Sequence, residues 1–187
     1  MRSVTIVLLC SALFASATAR ADGLSFSWID ASLASPHQNQ GGSGHGSRLD
    51  VSYALSNQAF MYANGRRDSF DSVDQQFYRA GVGINSNPAS GYVLFATVGW
   101  NNVGTTYPAS AGMRQHGYDA GVGIRTLLTP KWEVYAAARY LHNDALTVHA
   151  EGSVGVFYAL SSRVALGAGA TVDAEQTGYL LSVRINY

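Results

Sequence analysis

The feature that most restricts the fold of this chain is an alternation of apolar and polar residues with a period of two. It recurs between positions 24 and 187 in stretches of about ten residues. In residues 148–158, Val154 and Val156 lie on one face, whereas Glu151 and Ser153 lie on the other. Successive side chains of a β-strand point to opposite faces, so the alternation predicts an all-β protein.

Ten stretches carry this pattern and predict ten strands. Eight are clear: residues 49–55, 78–84, 92–100, 118–126, 132–140, 148–158, 164–172 and 179–187. In residues 24–35 the apolar positions change parity near Trp28. In residues 59–67 two sets compete for the same face: Phe60 with Tyr62, and Ala59 with Met61 and Ala63. The alanines of residues 132–141 would also suit a helix, but the alternation and the turn at residues 129–130 favour a strand.

The connectors between these stretches alternate in length. Short turns are predicted at residues 56–57, 86–90, 129–130 and 159–162, and longer polar loops at 36–46, 68–74 and 102–115; the connectors at 142–145 and 173–176 are short. Bacterial outer-membrane barrels have short periplasmic turns, longer external loops and an even number of strands. The pattern therefore predicts a ten-stranded antiparallel up-and-down transmembrane β-barrel, with eight strands as the alternative.

Tyrosine and tryptophan concentrate at the ends of the predicted strands. If the first strand runs outward, the external set is Tyr78, Trp100, Tyr118, Tyr140 and Tyr179, and the periplasmic set is Tyr53, Tyr92, Trp132, Tyr158 and Tyr187. These rings prefer the headgroup level of a membrane, so two aromatic girdles around an apolar band predict a surface that faces lipid. A soluble barrel or sandwich is the alternative.

Residues 1–21 have the features of a cleaved export signal. Arg2 supplies a positive charge, residues 4–14 are apolar, and Ala19-Arg20-Ala21 is a small-x-small cleavage site. The apolar stretch is shorter than the roughly 20 residues that a membrane-spanning helix needs. We therefore expect a signal peptide at 1–21, a barrel at 22–187 and localisation in the outer membrane of a Gram-negative bacterium.

Charge and residue types exclude several functions. Without Arg2 and Arg20, ten basic and twelve acidic residues remain, which leaves no basic surface for nucleic acid. The single cysteine, Cys10, lies in the signal, so disulfides, cysteine-ligated zinc and cysteine catalysis are not expected in the mature chain. Charged residues make up 13% of the chain, against roughly 25% in soluble domains. No cofactor is predicted.

The charges within strands fall on the predicted inward face. They are Arg48, Arg79, Arg125, Arg139 and Arg184, with Asp30, Asp50, Asp119, Glu133 and Glu151. A barrel of this size is only slightly wider than one that side chains fill, so paired charges are expected to close the lumen rather than line a narrow polar path. Inward glycines at 81, 83, 121, 123, 167 and 169 are expected to make room for these long side chains or to help the sheet curve.

Two candidate chemical sites are weak. His149, Glu151 and Ser153 share one strand face, as a base, a carboxylate and a nucleophile could, but same-face Cβ atoms lie nearly 7 Å apart and this face is predicted to point into the lumen. The five histidines are expected at external loops or near the external rim: His37, His45, His116, His142 and His149. They lack close ligand spacing, so neither a metal site nor a catalytic residue is predicted.

The last strand ends on Tyr187, with Tyr179, Leu181, Val183 and Ile185 at alternate positions before it. This arrangement resembles the terminal signal of outer-membrane barrels, which implies insertion into outer-membrane lipid by the barrel-assembly machinery.

Three motifs carry a further resemblance: Asp22-Gly23-Leu24-Ser25, Val73-Asp74-Gln75 leading into Arg79-Ala80-Gly81-Val82-Gly83, and residues 117–126. They are similar to a family of small outer-membrane β-barrel proteins of xanthomonads and their relatives, sometimes described as a quorum factor or immune elicitor. Eight-stranded OmpA-like and OmpX-like barrels are the broader comparison. Three functions remain open: a non-enzymatic envelope protein that presents external loops, a narrow pore for small solutes, and a lipid-modifying enzyme.

Overall fold

A computed structural model describes residues 24–38, 42–70, 73–86, 91–106, 113–143 and 150–187. Within these ranges ten antiparallel strands form a closed barrel, in which each strand pairs with the next and β1 closes onto β10. The predicted all-β, ten-stranded barrel is confirmed, and the eight-stranded alternative is wrong. No helix in the described residues is long and apolar enough to cross a membrane. The predicted signal peptide, Cys10, the Asp22-Gly23 start and His149 lie outside the described residues.

The strands are β1 (Trp28–Gln38), β2 (His45–Ala54), β3 (Ala59–Phe70), β4 (Val73–Asn85), β5 (Tyr92–Thr106), β6 (Met113–Thr129), β7 (Trp132–His142), β8 (Ala150–Ala159), β9 (Val164–Asp173) and β10 (Gln176–Asn186). We call the end of the barrel with the turns at 55–58, 130–131 and 160–163 and with Tyr187 the proximal rim, and the opposite end the distal rim. The stretch at 132–141 is a strand and not a helix.

The polar segments predicted as long loops are largely strand. β3 continues to Phe70 and β4 begins at Val73, and most of residues 102–115 extends β5 and β6. With 15 and 17 residues, β5 and β6 are the longest strands of the barrel. Polar side chains do not prevent pairing there, because ladder hydrogen bonds join the backbones. The wall therefore rises highest at β4 to β6 on the distal rim.

The first strand begins at Trp28 and not at Leu24. Leu24 and Phe26 precede β1 and are buried, with 5% and 6% of their surface exposed. Even-numbered positions face the interior on both sides of this boundary, as Asp30 and Ser32 are also buried. The apparent change of parity is therefore a change in the lining of the lumen, from apolar near the proximal rim to polar further in.

The uncertain face of β3 is resolved by its burial pattern. Phe60, Asn64 and Asp68 are buried, whereas Met61 is exposed over 47% of its surface. Phe60 and Tyr62 therefore face inward, and Ala59, Met61 and Ala63 face outward. Since side chains alternate along a strand, this choice also turns Arg66 into the lumen.

Inward aromatic rings lie against inward glycines on the next strand. Five such pairs are direct cross-strand neighbours: Phe60 with Gly83, Tyr62 with Gly81, Phe95 with Gly123, Tyr135 with Gly155, and Phe157 with Gly167. A Cβ on Gly83 would lie within 2.7 Å of the Phe60 ring atom Cε2, so no other residue fits there without a shift. Glycines 83, 123 and 167 therefore make room for aromatic rings and not for long charged side chains, which was the first of the two roles expected from the sequence. A Cβ on Gly81 would instead meet the Val98 carbonyl oxygen, Gly99 Cα and the Tyr62 hydroxyl.

A Gly83→Ala substitution should lower the free energy of unfolding by about 1–3 kcal/mol, because the added methyl overlaps the Phe60 ring. Urea unfolding of the barrel in detergent measures this loss. Gly65→Ala is the matched control: Gly65 is on the outward face of β3, where a Cβ would meet Tyr78 at an ordinary 3.6 Å. Equal losses for the two variants would contradict the packing of the ring on Gly83.

Candidate functional site: the barrel lumen

Six arginines and six carboxylates face the lumen. Ten of these residues are the predicted set: Arg48, Arg79, Arg125, Arg139, Arg184, Asp30, Asp50, Asp119, Glu133 and Glu151. Two were missed: Arg66 because the face of residues 59–67 was undecided from the sequence, and Asp68 because residues 68–74 were predicted as a loop. The two additions have opposite charge, so the inward charges remain balanced.

The charges nearest the proximal rim centre on Glu133 of β7. Arg125 binds it with two parallel hydrogen bonds, from Nε to Oε1 at 2.8 Å and from Nη2 to Oε2 at 3.0 Å. Arg184 donates from Nη1 to the same Oε1 at 3.0 Å, and its Nε lies 3.4 Å from Asp30 Oδ2. The planar guanidinium group suits such paired contacts with a carboxylate. Two arginines and two carboxylates thus connect β1, β6, β7 and β10.

A second cluster lies further toward the distal rim around Glu151 of β8. Three arginines approach its carboxylate: Arg139 Nη1 at 3.4 Å, Arg79 Nη1 at 3.5 Å and Arg66 Nη1 at 3.7 Å. Arg79 and Arg66 come from β4 and β3, whereas Arg139 is a neighbour of Glu151 across the β7–β8 ladder. The cluster therefore crosses the lumen from one wall to the other.

Further acceptors hold the arginines around Glu151. Arg139 Nε lies 3.2 Å from Asp119 Oδ2, and the Tyr62 hydroxyl donates to that same oxygen at 3.1 Å. Arg66 also pairs with Asp68. Asp119 and Asp68 thus place a second carboxylate beside Arg139 and Arg66.

Arg48 and Asp50 complete the inward charges on β2. Asn64 Nδ2 donates to Asp50 Oδ1 at 2.6 Å. Arg48 lies opposite Arg66 in the β2–β3 register, and its Nε has no hydrogen-bond partner among the described residues. Nε of Arg79, Arg139 and Arg184 also lacks a hydrogen-bond partner among these residues. Each of those three arginines lies within ion-pair distance of a described carboxylate, whereas Arg48 does not.

An apolar cluster fills the proximal end of the lumen. Leu24, Phe26, Phe60 and Val93 are buried together, with Phe95 packed against them. The rings of Phe26 and Phe60 stack with centroids 4.4 Å apart, and Phe95 meets both edge-on at 6.0 and 6.5 Å. We call residues 24–27, together with Phe60, Val93 and Phe95, the proximal stopper.

Hydrogen bonds fix the backbone of the proximal stopper. Arg125 Nη1 donates to the Ser25 carbonyl at 2.6 Å, and Ser52 Oγ donates to the Phe26 carbonyl at 2.6 Å. The guanidinium of Arg125 also lies 5.0 Å from the centre of the Phe26 ring. The segment is thus held by the same arginine that binds Glu133, which couples the stopper to the charge network.

Amide side chains occupy the lumen near the distal rim. Asn143 Nδ2 donates to Asn101 Oδ1 at 2.9 Å and to the Gln115 carbonyl at 3.1 Å. Asn101 and Asn143 are fully buried, and Val103 and Leu141 are buried beside them. The lumen is therefore lined with contacting side chains near both ends as well as at its centre.

No protein-family model matches this sequence, and no curated protein matches it. Among solved structures, the chain is similar to the β domain of the Bordetella autotransporter BrkA, with 11% identity, a TM-score of 0.52 and coverage of 86% of this chain and 98% of that one. A second similar structure is the KdgM porin, with 11% identity, a TM-score of 0.47 and coverage of 84% of this chain and 99% of that one. A third is Ail, the attachment invasion locus protein of Yersinia pestis, with 12% identity, a TM-score of 0.43 and coverage of 86% of this chain and 95% of that one. The chain has the fold of outer-membrane β-barrels.

The predicted girdle residues of this outer-membrane barrel fold lie on the outer wall in two belts. The distal belt is exposed over 48–59% of each side chain's surface: Tyr78, Trp100, Tyr118, Tyr140 and Tyr179. In the proximal belt, Tyr53, Tyr92 and Trp132 are exposed over 43–49%, whereas Tyr158 and Tyr187 are half-buried. Tyr158 packs on Trp132 with centroids 4.9 Å apart, and Tyr187 donates its hydroxyl to the Ser52 carbonyl at 3.0 Å.

The two weak chemical candidates remain weak. Glu151 is engaged by three arginines, and Ser153 faces the lumen with it rather than the outer surface. The described histidines lie toward the distal rim, where His116 stacks on Trp100 and His142 on Tyr118 at 5.2 and 4.7 Å. Among the described residues, no group of three or more His, Cys, Asp or Glu is arranged to hold a metal ion.

Proposed function

We propose that this chain is an exported, non-enzymatic outer-membrane protein with a closed lumen, which serves envelope integrity or surface interaction through its distal rim. The observation that supports the proposal is a series of four groups of contacting side chains in the lumen. The proximal stopper, the pairs around Glu133, the cluster at Glu151 and the amides near Asn143 follow one another along the barrel axis. Small solutes would have to displace several of them together.

Balanced charge supports a closed lumen over a pore. Removing a single partner from a buried ion pair leaves an uncompensated charge and costs several kcal/mol, so each pair resists opening. A narrow pore for small solutes is the alternative function, because the same charged side chains would also line a polar path.

Export and assembly are part of the same proposal. The signal-like residues 1–21 and the alternating last strand that ends on Tyr187 support cleavage, passage through the periplasm and insertion by the barrel-assembly machinery into outer-membrane lipid. The motifs that resemble the small barrel family of xanthomonads support the same location. The tall wall of β4 to β6 is the surface that we propose meets partners outside the cell.

Planar-bilayer recording tests the closed lumen. We expect the purified mature barrel to insert and to give no steady open current, since the stopper and the arginine clusters block the axis. A stable unitary conductance in most insertions would establish the pore instead.

A Ser153→Ala variant tests the absence of lipid-modifying chemistry. We expect the host's lipid A to keep the same acylation and phosphorylation with the parent protein, with the variant and without either, as measured by mass spectrometry. A modification that requires Ser153 would contradict a non-enzymatic role.

A further inference from the structure

Above the distal aromatic belt, the outer wall carries a row of four cross-strand neighbours. They are Arg67 on β3, Gln76 on β4, Gly104 on β5 and Arg114 on β6, each directly opposite the next in the strand registers. We call them the cationic row. The Arg67 side chain is exposed over 60% of its surface, and Arg114 is also exposed. The row therefore begins and ends with a guanidinium group that solvent or a ligand can reach.

The chemistry of the outer wall changes in three steps toward the distal rim. The first row contains Trp100 and Tyr118, the second contains Tyr78, Asn102 and His116, and the third is the cationic row. Aromatic rings mark the headgroup level of a membrane, so guanidinium groups one row beyond Tyr78 and two rows beyond Trp100 and Tyr118 lie where anionic headgroups are found. Asn102 Nδ2 lies 2.8 Å from His116 Nδ1. Donation from this amide to Nδ1 would leave the Nε2–H free to act as a further donor.

Gly104 leaves a saddle in the cationic row. A Cβ at this position would lie 3.7 Å from Arg114 Cγ and 3.9 Å from Gln76 Cβ, which is ordinary contact. The space between Gln76 and Arg114 is therefore open, and a larger side chain would fill it without disturbing the backbone. Three strand spacings of about 4.8 Å separate the backbones of Arg67 and Arg114 by roughly 14 Å.

The two arginines differ in what they already bind. Arg67 Nη2 pairs with Asp74 Oδ2 at 2.8 Å, in a pair exposed on both sides. Exposed pairs of this kind contribute little, so an anion can replace Asp74 at small cost. Arg114 forms no ion pair with a carboxylate among the described residues. Both side chains are exposed, so an anionic ligand can reach them.

From this arrangement we infer that the cationic row binds the headgroup of an outer-leaflet glycolipid that carries two phosphates. Arg67 and Arg114 each contact one phosphate, and the sugar lies over the saddle at Gly104. Charge complementarity supports this ligand, because guanidinium groups bind phosphate with strong, often bidentate hydrogen bonds. The inference rests on the proposed location in the outer membrane, and it gives the distal rim a lipid partner.

Titration of fluorescent lipid A with two phosphates into the mature barrel, held in neutral detergent, tests the inference. An Arg67→Gln/Arg114→Gln variant should bind about tenfold more weakly or worse, since two charged hydrogen-bonded contacts are lost. Gly104→Phe should also weaken binding, because the ring fills the saddle. Asp74→Asn should instead bind severalfold more tightly, since Arg67 is released, and misfolding could not produce that gain.

The controls separate this site from general attraction. Lys131→Gln/Arg163→Gln removes two exposed cations at the proximal rim and should leave binding unchanged. Enzymatically dephosphorylated lipid A should bind weakly, and its affinity should be the same for the parent and the variants. Two results would overturn the inference. One is that the parent and the Arg67→Gln/Arg114→Gln variant bind lipid A equally well; the other is that the parent binds dephosphorylated lipid A as tightly as lipid A with two phosphates. Bilayer recording on the same preparations tests the closed lumen separately.

Discussion

A Glu151→Gln variant should lose about 3 kcal/mol of unfolding free energy, because three arginines then share a lumen without the carboxylate that they approach. The amide that replaces it can still accept a hydrogen bond, but it carries no charge to offset Arg66, Arg79 and Arg139. Chemical unfolding in detergent, followed by loss of β-structure, measures the difference. Gel migration before and after heating reports whether the variant folds at all.

Two further variants make this result specific. Asp74→Asn removes a carboxylate of an exposed pair and should leave the stability close to that of the parent. Arg79→Gln combined with Glu151→Gln removes one charge of each sign and should be more stable than Glu151→Gln alone, since the balance is partly restored. A double variant no more stable than the single one would show that the arginines around Glu151 do not depend on its charge.

A Phe26→Ala variant should open the proximal end of the lumen and lower the unfolding free energy by about 3 kcal/mol. The ring of Phe26 stacks on Phe60 and meets Phe95, so its removal leaves a cavity between them. Trp28 follows the stopper on the same inward face, with Arg184 4.6 Å over its ring. In a Trp100→Phe/Trp132→Phe background Trp28 is the single tryptophan, and acrylamide quenching of its fluorescence should rise when Phe26 is removed.

Leu33→Ala is the matched control for this measurement. Leu33 lies on the outward face of β1, exposed over 71% of its surface, whereas the stopper lies in the lumen. Its loss should leave both the quenching of Trp28 and the stability close to those of the parent. Unchanged quenching in Phe26→Ala would mean that residues 24–27 do not seal the lumen.

The interior of the barrel has two parts, one apolar and one charged. Near the proximal rim the lumen resembles a small apolar core, with rings stacked on one another and on glycines of the next strand. Further along, arginines and carboxylates from opposite walls replace that core. Arg125 joins the two parts, since it binds the Ser25 carbonyl, faces the Phe26 ring and holds Glu133.

Alternation in the sequence determined the fold class and the strand number. A period of two is a local property, so the inward placement of Arg79, Asp119 and Arg184 followed once a barrel was assumed. The belts of Tyr and Trp could be placed for the same reason, because the end of each strand is marked in the chain. For the inward charges, the sequence predicted equal numbers of arginines and carboxylates but not which of them pair.

Only the tertiary structure decided which side chains meet. Arg66 was missed because both faces of residues 59–67 carry apolar residues, and the choice depends on Phe60 packing against Phe26 from another part of the chain. Asp68 was missed because the polar residues 68–74 predicted a loop, whereas β3 continues to Phe70. The sequence also did not show the role of Leu24 and Phe26. Both lie at even positions, like the inward residues of β1, so the pattern included them in that strand although they precede it. Registers between strands set the partners of Glu151, of Gly83 and of the cationic row, and a register is a relation between distant segments that no local pattern contains.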